Sequence, residues 1–120
     1  MNAILNAKRI LIVEDEEMIA MLIEETVLDE GGVVVGPVGD LDGALALARD
    51  AAIDAAVLDV NLAGKPSYPV ADILAGRGIP FLFATGYGDQ SVASAHAAAP
   101  VIGKPFQLDA MVAAIEQLLG

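Results

Sequence analysis

Five polar residues stand at or just past the ends of short apolar runs. Glu14 and Asp15 follow Ile10-Leu11-Ile12-Val13, Asp59 follows Ala55-Ala56-Val57-Leu58, Thr85 follows residues 80–83, and Lys104 follows Val101-Ile102. Three carboxylates gathered in one place repel one another at neutral pH unless a cation sits among them, and hard oxygen donors with room for water are what Mg²⁺ prefers. With Mg²⁺ shared between carboxylate and phosphoryl oxygens, an aspartate can attack an activated phosphorus and become an acyl phosphate. A hydroxyl such as that of Thr85 can hydrogen-bond another phosphoryl oxygen, and an ammonium such as that of Lys104 can neutralise a third. The set suits phosphoryl transfer to Asp59.

Such chemistry requires a scaffold that brings the ends of the apolar runs to one edge. Residues 10–13 form a continuous apolar run, the pattern of a strand covered on both faces. Over residues 16–28, Met18, Ile19, Leu22, Ile23 and Val27 recur at helical spacing until Gly31-Gly32 supplies a stop. The unit then repeats in type. Strands are predicted at 33–35, 55–58, 80–83 and 101–102, and helices at 41–50, 70–74, 90–97 and 107–119. A looser segment around Gly64, Pro66 and Pro69 precedes the third helix, which Gly76 and Gly78 end. Strand and helix alternate five times, which predicts parallel strands joined by right-handed crossovers. The expected fold is α/β and doubly wound, flavodoxin-like, with functional groups at the carboxyl edge of the sheet beside the switch point.

The chain has 120 residues, which fits one domain over residues 1–120 with no output module. More than half of it is apolar, so it is expected to pack a core. With no cysteine there is no thiolate chemistry. Six Lys and Arg residues against a net charge of −11 argue against a nucleic-acid groove. The amino end carries neither a secretory apolar region nor a membrane span, so a cytoplasmic location is expected.

The segments ILIVEDE, AAVLDVNL, FLFATGY and VIGKPF, in that order and spacing, resemble the receiver domain of response regulators in two-component systems over nearly the whole chain. The resemblance implies a five-stranded parallel sheet in the order 2-1-3-4-5 with helices on both faces. It implies that Asp59 is the phosphoacceptor, that Asp15 holds Mg²⁺ directly and Glu14 through water, and that the Asn61 main-chain carbonyl is a further ligand. Thr85 and Lys104 match the phosphoryl-binding hydroxyl and ammonium, and Lys104-Pro105 matches a peptide bond that is usually cis. Implied partners are a sensor histidine kinase or a histidine phosphotransfer protein, and a downstream protein that the sequence does not identify.

Two positions depart from the common pattern. Val101 stands three positions before the lysine, where most receivers carry a Tyr or Phe that acts as a rotamer switch, and Ala63 stands where many place Pro. The run Phe83-Ala84-Thr85-Gly86-Tyr87 resembles the FAT GUY subclass, which lacks that aromatic residue, although Gly88 departs from its full motif. Tyr87 is expected to take over from the missing switch and, with Asn61, to tune the lifetime of the acyl phosphate, while residues 85–99 rearrange on phosphorylation.

Plainer readings compete. Glu14 and Asp15 also suit a solvated turn with charges at a helix N-terminus. His96 suits a structural or surface role, and Lys65 and Tyr68 suit a solvated loop better than a kinase contact. A haloacid dehalogenase-like phosphatase needs a second Asp two residues after its nucleophile, where this chain has Asn61. No Gly-rich phosphate loop follows the first strand to support a nucleotide site. The domain is therefore expected to be no enzyme beyond gaining and losing phosphate at Asp59. The alternative is a receiver-like module that binds protein partners without phosphate.

Overall fold

The computed structural model describes residues 5–85, 99–104 and 106–120. Its main sheet contains β1 (Arg9–Val13), β2 (Val33–Val38), β3 (Ala55–Asp59), β6 (Phe81–Thr85) and β7 (Val101–Gly103), all parallel, in the order β2-β1-β3-β6-β7. Counting only these strands, the order is the expected 2-1-3-4-5. Between β3 and the next helix lies a small antiparallel hairpin, β4 (Asn61–Leu62) and β5 (Lys65–Pro66), where the sequence reading has only a loose segment.

Among the described residues, four helices cover the sheet: α1 (Glu17–Asp29), α2 (Leu41–Asp50), α3 (Tyr68–Gly76) and α4 (Leu108–Leu119). The helix expected at residues 90–97 lies outside the described residues. α3 begins two residues earlier than its apolar run because Pro69 occupies the first turn, where a missing N–H costs nothing. Each helix faces the sheet because successive strand side chains point to opposite faces. Leu11, Val13, Ala56, Leu58 and Phe83 meet Ala44 and Ala48 of α2 and Val70, Ala71 and Leu74 of α3. Ile10, Ile12, Ala55, Val57 and Leu82 meet Ile23 and Val27 of α1 and Met111 and Ile115 of α4. Strands buried on both sides explain why their sequences are continuous apolar runs rather than alternating ones.

The apolar stripe of α1 is wider than its buried face. Ala20, Ile23, Thr26 and Val27 turn inward, whereas Met18, Met21, Leu22 and Leu28 are exposed. Beside β1, the pairing register slips between Leu11 and Val13, where β2 carries a cis Gly36–Pro37 bond with Gly36 at φ 93°. Proline is tolerated there because β2 is an edge strand. α2 starts on a capped turn in which the Gly43 N–H donates to Asp40 Oδ2 at 2.9 Å.

Candidate functional site

Strand register brings the site together. Val13 pairs with Leu58, so Glu14 comes level with Asp59; Asp59 pairs with Ala84, and Thr85 pairs with Gly103, so Thr85 and Lys104 each lie one step further along the same edge. The carboxyl ends of the three central strands and of β7 thus deliver all five groups. The Lys104 N–H donates to the Thr85 carbonyl at 2.9 Å, which ties the last two to one another.

Oxygens of Glu14, Asp15 and Asp59 all lie within 4.8 Å of one another. Glu14 and Asp59 are buried and Asp15 is exposed, so the cluster opens to solvent on the Asp15 side. Lys104 Nζ stands 2.7 Å from Glu14 Oε1 and 3.5 Å from Asp59 Oδ2. The ammonium offsets the burial of the Glu14 charge. Backbone N–H groups cap one oxygen of each acid: Glu16 donates to Glu14 Oε2 at 3.2 Å, Asn61 to Asp59 Oδ1 at 3.3 Å, and Ala63 to Asp15 Oδ2 at 3.0 Å.

These surroundings set the protonation balance. Burial, and then the neighbouring Glu14 charge, push the Asp59 carboxyl up to about 7, against the pull of Lys104. Burial works to raise Asp15 too, but hydrogen bonding with Asp59 and the amides of Ala63 and its own residue, with help from Lys104, hold it below the usual carboxylate range. Lys104 is lowered by burial, yet the adjacent Glu14 and Asp59 carboxylates outweigh that and raise it overall. Three carboxylates against one ammonium leave an excess of negative charge facing solvent, and hard oxygen donors at this spacing fit a small divalent cation such as Mg²⁺.

Of the remaining expected residues, Thr85 is buried at the end of β6, and Val101 is half-buried at the start of β7, paired with Phe83. Asn61 opens the hairpin, its side-chain Oδ1 accepting from the Gly64 N–H at 2.7 Å. Tyr68 is not a loop residue. It opens α3 and sets its ring edge-on to Phe83 at 6.0 Å. Lys65 is exposed on β5. Tyr87, Gly88, His96 and Pro105 lie outside the described residues, and with them the Lys104–Pro105 bond and the expected rearrangement of the segment after Thr85. Sequence reasoning did not foresee the amide of Ala63 as a partner of Asp15. The pair Ala63-Gly64 between Leu62 and Lys65 was the available signal, because glycine at a two-residue turn marks a hairpin.

Fold and site together define a doubly wound domain whose sheet edge holds an acid triad and a lysine. The chain belongs to the response regulator receiver domain family, whose model matches residues 10–116. Similar solved structures include SdrG from Sphingomonas melonis Fr1, 48% identical with a TM-score of 0.83 and all of both chains covered. A second structure, of the BeF3-activated conformation of SdrG from Pseudomonas melonis Fr1, is 47% identical with a TM-score of 0.79, covering 96% of this chain and 98% of that one. The response regulator PhyR from Brucella abortus is 33% identical with a TM-score of 0.82, over 98% of this chain and 50% of that one. Among curated proteins, the transcriptional regulatory protein PdtaR of Mycobacterium tuberculosis is 30% identical over 91% of this chain. The chain spans 55% of that relative's length. No helix among the described residues is long and apolar enough to cross a membrane.

Proposed function

We propose that this receiver domain accepts a phosphoryl group on Asp59 from a phosphohistidine of a sensor kinase or phosphotransfer protein, and signals through altered protein contacts, as a relay or as a phosphate sink. The observation that carries the reading is the position of Asp59: buried, capped by one backbone N–H, and flanked by two further acids and the Lys104 ammonium. A relative 47% identical has a BeF3-activated conformation, and beryllofluoride stands in for a phosphoryl group on a carboxylate.

Asp15 and Asp59, with the Asn61 carbonyl, would hold Mg²⁺ directly, and Glu14 through water. Bound there, the ion supplies charge neutralisation between the carboxylates and the phosphoryl oxygens. An Asp59 oxygen forms the new bond to phosphorus as the phosphorus–nitrogen bond of the donor breaks, and the imidazole leaves with that electron pair. Asp59 must be ionised to attack; Lys104 at 3.5 Å favours that form, against the burial and the Glu14 charge that oppose it. The Lys104 ammonium and the Thr85 hydroxyl receive phosphoryl oxygens, which covers the charge of a loose transition state. Tyr87, in the absence of an aromatic residue at Val101, shields the acyl phosphate and lengthens its life.

The test is intact mass after incubation with acetyl phosphate, with and without Mg²⁺, for the wild type and Asp59→Ala. One added phosphoryl mass that needs Mg²⁺ and vanishes in the variant is expected. No addition in the wild type, from either acetyl phosphate or a phosphorylated phosphotransfer protein, overturns the reading in favour of a phosphate-independent interaction module.

A further inference from the structure

We infer that the β4–β5 hairpin is a positioning element for the site, its tip residue Ala63 using a backbone N–H to hold the Asp15 carboxylate in the orientation that receives the cation. The inference rests on the phosphoacceptor reading and goes beyond it, because Ala63 itself contributes no side-chain chemistry.

Asp15 is the exposed acid of the triad, in the connection between β1 and α1, and an exposed carboxylate ordinarily samples several rotamers. Here one oxygen accepts the Ala63 N–H at 3.0 Å across 48 residues of sequence. A charge-assisted hydrogen bond of this kind selects one rotamer and leaves the carboxyl facing Asp59. The tip can donate because Ala63 and Gly64 both have positive φ, 52° and 90°, the pattern of a two-residue hairpin turn matched to strand twist. Glycine takes such a φ without strain. Alanine does not, so the conformation at Ala63 is held from outside.

Three contacts hold it. Leu62 is buried in the core on the α2–α3 face, the Asn61 side chain accepts from the Gly64 N–H, and the Ser67 N–H donates to the Val60 carbonyl at 2.8 Å where the hairpin returns to the fold. The same strand donates from Asn61 to Asp59, so one rigid hairpin aims both aspartates of the triad. A proline at position 63, the residue many receivers place there, would have no N–H to donate and could not adopt a positive φ, so the device is particular to a chain with this hairpin turn.

The test compares the wild type, Ala63→Gly, Ala63→Pro and the double variant Asp15→Asn/Ala63→Pro with its Asp15→Asn parent, by calorimetric Mg²⁺ titration and thermal melting without metal. Loss of an orienting partner weakens metal binding by about 10-fold or more. Ala63→Pro is therefore expected to raise the Mg²⁺ Kd about 10-fold, Ala63→Gly to leave it within about two-fold, and Ala63→Pro to add nothing once Asp15 is Asn. In parallel, amide exchange at Ala63 in metal-free protein is expected to quicken at least about 10-fold in Asp15→Ala. A Kd unchanged by Ala63→Pro, a loss shared equally by Ala63→Gly, or an exchange rate indifferent to Asp15 overturns the inference. Wild-type protein that binds no Mg²⁺ while the Ala63 amide stays protected marks failure of the phosphoacceptor reading instead, and the positioning role falls with it.

Discussion

Replacing Asp59 by Asn should stabilise the metal-free protein at pH 8. The folded Asp59 carboxyl titrates near 7, raised by burial and then by Glu14, whereas in the unfolded chain it titrates near its ordinary 3.8. A raised carboxyl favours its protonated form in the fold, so the stability it carries is present at low pH and is lost as pH climbs from about 4 through 7. A shift of this size corresponds to at most about 4 kcal/mol. Solvent reaches the cluster from the Asp15 side, and screening there reduces the expected cost to about 1–2 kcal/mol. The charges alone give a similar scale: two carboxylates whose oxygens lie within 4.8 Å of one another repel by about 3.5 kcal/mol at that outer separation and an effective dielectric near 20, and Lys104 offsets part of that. For a domain of this length the gain corresponds to a melting temperature about 4–8 °C higher for Asp59→Asn at pH 8. The assay is thermal melting in chelator from pH 5 to 8, repeated with millimolar Mg²⁺. The gap should widen with pH up to about 7, then level, and Mg²⁺ should close or reverse it by stabilising the wild type more. A gap that does not change between pH 5 and 8, or a variant less stable throughout, refutes the argument that these carboxylates are held under repulsion.

Lys104→Met should destabilise the domain by about 2–4 kcal/mol, because Glu14 is left buried with its charge uncompensated; urea unfolding at pH 7 measures it, and Glu14→Gln in the same background should restore much of the loss. Leu62→Ala removes the hairpin's anchor in the core and should cost about 2–4 kcal/mol by the same assay, with a parallel weakening of Mg²⁺ binding. Asp40→Ala uncaps α2 away from the acids and should cost about 1 kcal/mol while leaving Mg²⁺ affinity unchanged, as calorimetric titration will show.

Residue types and periodicity were enough to determine that the chain alternates strand and helix, that its strands are covered on both faces, and that Glu14, Asp15, Asp59, Thr85 and Lys104 end at strand termini. These properties are local: an apolar run reads as a buried strand, and a polar residue after it stands at the strand's end wherever the strand goes. α1 shows the limit, since its apolar positions do not say which of them turn inward, and Met18 and Leu22 face solvent while Ala20 and Thr26 are buried.

What only the tertiary structure decided depends on pairs distant in the chain. Strand register set Glu14 beside Asp59 and placed Lys104 2.7 Å from the one and 3.5 Å from the other, and so determined which acid is raised and which is lowered. The hairpin after Asp59 left only its glycine turn to be read, because two residues per strand carry no periodicity and its stability comes from Leu62 in the core and from the bond between Ala63 and Asp15. Composition names the groups that can do the chemistry, whereas charge–charge distance and burial, which fix their protonation and aim, exist only once the chain has closed on itself.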